Sequence, residues 1–90
     1  MAIDVRVPTI LRTYTGGDKA VSGAGGTLGE VIDDIDARHP GIKERVVDGD
    51  DLRRFVNVYV NDEDVRFTGG LDTALSDGDT VVILPAVAGG

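Results

Sequence analysis

The chain has 90 residues, with 9 Lys plus Arg against 16 Asp plus Glu, a formal net charge of −7 and no cysteine. That length makes one small domain with a single modest core and leaves no room for a large enzyme. The acidic balance argues against nucleic acid, whose affinity depends on cations replacing counterions, and the missing cysteines remove disulfides, thiolate nucleophiles, thiolate metal sites and iron–sulfur ligation.

An acidic surface suits solubility, and steering onto partners with basic patches around their active sites. No apolar run approaches the roughly 20 residues of a membrane span. The first residues lack a basic-then-apolar signal pattern, so a cytoplasmic protein that binds no membrane is expected.

Residues 3 to 7, "IDVRV", alternate apolar and charged, which predicts a strand with Ile3, Val5 and Val7 facing a core. "TILRTYTGGDK" carries a turn at Gly16 and Gly17, and Ala20 to Ser22 run back as a second strand of a hairpin. In "GAGGTLGEVIDDIDARHPG", Thr27 and Glu30 stand at capping-box spacing before an apolar series at Leu28, Val31, Ile32 and Ile35, which predicts an amphipathic helix. Asp33, Asp34 and Asp36 fall on its polar face, and His39, Pro40 and Gly41 stop it. "IKERVV" predicts one extra helical turn before the acidic loop "DGDD".

"FVNVYVND" reads as a strand with Val56, Val58 and Val60 on the core face and Phe55, Asn57 and Tyr59 on the other. "NDED" is a turn, "VRF" a short strand, "GGLDTALSDGD" a mostly irregular crossing, and "TVVIL" a final strand. That last run is apolar throughout apart from its threonine, as expected of a strand in the middle of a sheet with a parallel neighbour. The order of elements predicts an α+β, two-layer fold, one main helix packed on a mixed sheet, which matches the ubiquitin-like β-grasp.

Motifs for resident chemistry fail on spacing. Gly23, Gly25 and Gly29 do not satisfy the dinucleotide-loop pattern and no Gly-Lys-Ser/Thr follows, so a flexible strand-to-helix connection is expected there. Neither Asp33, Asp34 and Asp36 nor Asp48, Asp50 and Asp51 has calcium-loop spacing, and both clusters are expected to be solvated faces. His39 is the sole histidine and sits at a helix end, where a cap role outranks general-base or metal chemistry. Two readings stay open for Phe55, Tyr59 and Phe67: a partner-docking patch on the open face of the sheet, or completion of the core.

The run ends "PAVAGG". Fixing a residue's backbone costs about 1–2 kcal/mol, and Ala86, Val87, Ala88, Gly89 and Gly90 have no large side chains to offset it. A folded domain over 1–85 with a flexible tail over 86–90 is therefore expected. Extended, the tail reaches about 17–18 Å beyond Pro85, and the absence of Cβ at Gly89 and Gly90 lets it pass a narrow constriction in a partner.

A β-grasp pattern ending on Gly-Gly resembles the ubiquitin-like sulfur carriers of the MoaD and ThiS family. The likeness extends over "VPTILR", "YTGGDK" and "RFVNVYVNDEDVRFTGGLDTALSDGDTVVILPAVAGG". It is greatest to the family's carriers for thiocarboxylate-dependent cysteine biosynthesis. The resemblance implies a carrier rather than an enzyme, with Gly90 as the reacting terminus and Ala86 to Gly89 as the threading tail.

A C-terminal carboxylate is ionised at neutral pH and a poor electrophile. The resemblance implies that an ATP-using adenylating sulfurtransferase activates it and leaves a thiocarboxylate on Gly90. It implies a PLP-dependent cysteine synthase as recipient and a zinc metallopeptidase that regenerates the Gly-Gly end. ATP, PLP and zinc then belong to those partners, and this chain binds none. Other recipients, such as a ThiG-like thiazole or thiosugar synthase or molybdopterin synthase, stay open, as does a ubiquitin-like modifier joined to lysines or an inert interaction domain.

Overall fold

The computed structural model describes residues 2–54 and 56–85. Strand β1 (Ile3–Arg6) buries Ile3 and Val5 and turns Asp4 and Arg6 outward, as its alternation predicts. Pro8 then starts a 3-10 helix over Thr9–Thr15, where the sequence suggested only a turn. Gly16 closes it in the left-handed region, at φ 67°, and the chain returns as β2 (Ala20–Gly23). Strands β1 and β2 pair antiparallel, Val5 opposite Val21.

Helix α1 (Leu28–Arg38) begins at Thr27, whose hydroxyl accepts the Glu30 N–H at 3.3 Å. The Glu30 carboxylate reaches back one residue further than a capping box requires, accepting the Gly26 N–H at 2.7 Å. Leu28, Val31, Ile32 and Ile35 form the buried stripe of α1. Each such side chain contributes about 1.5–3 kcal/mol when removed from water. His39 caps the end, its N–H on the Ile35 carbonyl at 2.8 Å.

The glycines before α1 form a close-packed joint. A Cβ on Gly23 would lie 2.8 Å from the Val31 Cγ1, so the strand approaches the helix only because that atom is missing. Packing, rather than flexibility, explains this glycine.

The expected extra turn is α2 (Ile42–Val46), followed by the small hairpin of β3 (Val47–Asp48) and β4 (Asp51–Leu52) around the acidic loop. Strand β5 (Val56–Val60) buries Val56 and Val58 and leaves Val60 half-buried at its end. Asn61 and Asp62 both have positive φ, 49° and 72°, the geometry of a two-residue hairpin turn into β6 (Glu63–Asp64).

The predicted strand "VRF" is instead a 3-10 turn, Val65–Phe67. Asp64 ends β6 and caps that turn, its carboxylate accepting the Arg66 N–H at 2.9 Å, while Val65 drops into the core. A second 3-10 turn, Gly70–Asp72, and a single bridge between Thr27 and Ala74 organise the crossing to β7 (Thr80–Pro85).

In the main sheet the order is β2-β1-β7-β5-β6, with β7 parallel to β1 and antiparallel to β5. This is the β-grasp arrangement, with the last strand in the middle as its apolar run predicts. Val81 and Ile83 face the helix layer and are buried. Val82 is half-buried and Leu84 is 43% exposed, because no second layer covers the opposite face among the described residues.

Candidate functional site

Tyr59 lies half-buried in β5, opposite Val82 of β7 and Asp64 of β6, on the face turned away from the helices. Phe67 is 85% exposed on the 3-10 turn beyond β6 and is no part of the core. Of the candidate docking aromatics, Phe67 is therefore a surface residue and Tyr59 an intermediate one. Phe55 lies outside the described residues, as do Ala86, Val87, Ala88, Gly89 and Gly90.

The chain reaches residues 86–90 from a defined place. Pro85 pairs with Val56 and Leu84 with Asn57, so β7 stays in register with β5 to its last described residue. Arg66 braces that corner from the side: its guanidinium donates to the Asn57 Oδ1 at 2.8 Å, the Val56 carbonyl at 2.7 Å and the Arg53 carbonyl at 3.1 Å. These three bonds tie the 3-10 turn after β6 to the start of β5, the segment that pairs with the end of β7. Nothing in the spacing of the sequence points to Arg66, since its three acceptors are assembled by the β5–β6 hairpin.

Sequence reasoning also passed over Leu84 and Ile10, which is 66% exposed on the 3-10 helix after β1. Leu84 lies on the open face in the strand next to Tyr59, which places apolar surface close to the tail exit. An exposed residue at the end of an otherwise buried run is the signal that a one-sided sheet would leave.

The acidic helix face is more than solvated surface. Asp33 pairs with Lys43 at 2.5 Å, and this raises the Lys43 pKa through the hydrogen bond first and the charge second. Asp34 pairs with Arg38 at 2.7 Å and accepts the Ala24 N–H at 3.0 Å. Asp36 accepts the N–H groups of Gly41 and Lys43, both at 3.1 Å, which starts α2. At the opposite end of β7 from the tail, Asp79 is held below the ordinary carboxylate range by the Ser76 N–H and then the Asn61 side chain.

Among the described residues no group of three or more His, Cys, Asp or Glu is placed to hold a metal ion. His39 serves as the C-cap of α1. Among the described residues no helix is long and apolar enough to cross a membrane.

The comparisons agree with this geometry. The ThiS family model matches residues 5–90. The sulfur carrier protein CysO of Mycobacterium tuberculosis (strain H37Rv) is 61% identical over 93 aligned residues, covering 100% of each chain. In the crystal structure of the Amycolatopsis orientalis BexX/CysO complex, a chain 62% identical superposes with a TM-score of 0.94, covering 99% of this chain and 100% of that one. The small archaeal modifier protein 3 of Haloferax volcanii is 38% identical over 64 residues, 71% of this chain and 70% of its own. With a central strand that delivers residues 86–90 from one braced corner of a β-grasp fold, and with likeness to CysO over its whole length, this chain belongs to the ThiS family of sulfur carrier proteins.

Proposed function

We propose that Gly90 is the reacting terminus and that residues 86–90 form an arm carried by a body over 1–85. Its carboxylate attacks the α-phosphorus of ATP on a partner enzyme and expels pyrophosphate. A sulfur nucleophile then adds to the acyl carbon, AMP leaves with the bonding electrons, and a thiocarboxylate remains. The thiocarboxylate sulfur becomes the side-chain sulfur of a cysteine on a PLP-dependent cysteine synthase, the Gly90 acyl group shifts from that sulfur to the cysteine nitrogen, and a zinc metallopeptidase hydrolyses the resulting amide to release cysteine and the Gly-Gly end. ATP, PLP and zinc reside in those partners, and the exchange takes place in the cytoplasm.

The observation that carries this reading is the full-length match to CysO, in which the alignment runs through the last residues of both chains. The fold adds physical support. A central strand held by neighbours on both sides is a rigid base from which an arm can be aimed, and the partner supplies the activation that an ionised carboxylate needs. The test is intact mass of the full chain after incubation with ATP, the activating enzyme and a sulfide source. Exchange of one oxygen for sulfur on Gly90 is expected, and its absence would overturn the assignment.

The recipient is a separate matter. The Amycolatopsis relative is seen together with BexX, which supports assaying recipients beside the cysteine synthase, and a ThiG-like synthase and molybdopterin synthase are the ones that the family resemblance offers. The 38% identity to an archaeal modifier favours one further alternative, attachment of Gly90 to lysines. Isopeptide-linked lysines in a cellular digest, with no cysteine adduct on the arm, would decide for the modifier.

A further inference from the structure

Arg45, Arg53, Arg54 and Arg66, four of the nine cations, converge where the chain leaves the sheet. Arg45, Arg53 and Arg54 line one groove with Tyr14 and Val56, and Arg54 shares an adjoining depression with Arg66. Val56 is the cross-strand partner of Pro85 and takes a hydrogen bond from Arg66. All four arginines are exposed.

Three of the other five cations are paired: Arg6, Arg38 and Lys43 are each matched to an aspartate, Asp4, Asp34 and Asp33 respectively. Of the remaining two, Arg12 is half-buried and donates to the Val7 carbonyl at 3.1 Å, and Lys19 makes no ion pair among the described residues. Among the described residues, none of the four arginines at the exit is within ion-pair distance of a carboxylate, although Asp48 and Asp51 stand on the groove walls. Neutral oxygens hold three of them instead. Arg45 donates to the Tyr14 hydroxyl at 2.7 Å and lies 5.8 Å from that ring's centre, Arg53 donates to the Glu44 carbonyl, and Arg66 to Asn57 and two carbonyls. Three of the guanidinium groups are thus oriented without an ion pair among the described residues.

We propose that this cationic collar docks the carrier on a partner protein whose tail channel is rimmed by carboxylates, an inference that rests on the function proposed above. Guanidinium forks match carboxylates in charge and in planar geometry. A chain of net charge −7 is repelled as a whole by an acidic rim. Inside a screening length of about 8–10 Å the local charge decides, and a collar-first approach presents four of the nine cations together. That approach also points the arm into the channel. A basic rim would draw in the acidic helix layer and send the arm away.

The experiment is steady-state activation of the full chain by its own adenylating enzyme at low and high ionic strength, with wild type, Arg54→Gln, Arg53→Gln/Arg54→Gln and Ser76→Glu. Arg54 and Ser76 are exposed and make no side-chain hydrogen bond among the described residues, so the two single variants each lower the charge by one and disturb little else; a thermal melt checks that each folds. For Arg54→Gln the KM for the carrier is expected to rise about three- to fivefold, more in the double variant, with kcat unchanged and the effect shrinking in salt. Ser76 precedes β7 at the end opposite the exit, and Ser76→Glu should stay within about twofold.

Equal effects at Arg54 and Ser76, indifference to salt, or a rise confined to the KM for ATP would overturn the collar. The last outcome would mean that the arginines serve nucleotide phosphates rather than a protein rim. Failure of the wild type to become adenylated or thiocarboxylated would instead remove the proposed function, and the collar with it. Wild-type loading with charge-indifferent KM removes the collar alone.

Discussion

On the helix layer, Asp33 and Asp34 are tied to Lys43 and Arg38 and Asp36 starts α2, so the acidic surface there is used within the fold. At the tail exit, Arg45, Arg53 and Arg66 are held by neutral oxygens, and none of them is matched to a carboxylate among the described residues. Two surfaces of similar polarity therefore differ in what satisfies them. Charges that stabilise a domain find their opposites inside it, whereas charges that recognise something are oriented and left unopposed. Stability should depend on the first region and transfer on the second.

Deleting Gly90 presses hardest on that division. It shortens the arm by about 3.3–3.6 Å, and misplacement by a single ångström can cost 100-fold in a positioned reaction. Thiocarboxylate formation, read by intact mass, should fall by at least about 100-fold, while the melting temperature stays where it was. A fall in melting temperature would show that the arm belongs to the folded body and would break the comparison.

Leu28→Ala acts on the other region. Leu28 is completely buried in the core under α1, and such truncations cost about 2–5 kcal/mol. Urea unfolding should show that loss, while loading at a temperature where the variant is still folded should be unchanged.

Thr27→Ala should be milder, about 0.5–2 kcal/mol for a lost cap. Because Glu30 still holds the Gly26 N–H, a value near the lower end would show that the two bonds share the duty. Urea unfolding of the single variants and of Thr27→Ala/Glu30→Ala measures the coupling.

Asp79→Asn gives the smallest expected effect, and its sign is fixed. The carboxylate is held below the ordinary aspartate value of about 3.9. A lowered folded pKa means that the stabilisation is complete above the unfolded value and is lost as pH falls through the folded one. Thermal melts should place the variant slightly below wild type at pH 7, with the gap closing in acid below about pH 4. An unchanging gap would assign the effect to the Asn61 contact instead of the charge.

Most of the fold was legible. The alternation of Ile3, Val5 and Val7, the helical stripe of Leu28 to Ile35 and the apolar run of β7 each carry their period directly, and all three lie where the period puts them. "VRF" was misread because a three-residue apolar-polar-apolar run satisfies a strand and a 3-10 turn equally. Asp64 decides it by capping the turn, and a one-sequence pattern has no means of weighing that bond. Gly23 was misread for a related reason: its missing Cβ matters only because Val31, eight positions later, packs onto it.

The candidate site divides in the same manner. The proposed arm, Ala86 to Gly90, is a reading from consecutive residues and their local chain chemistry. The collar is not, because Arg45, Arg53, Arg54 and Arg66 are scattered over 22 positions and vanish into a net charge of −7. Composition and period by themselves determined most of the elements and the core faces, since those depend on neighbours along the chain. Only the tertiary structure decided which cations are neutralised and which surround the exit, because the field at a surface depends on distances between residues that the sequence keeps apart.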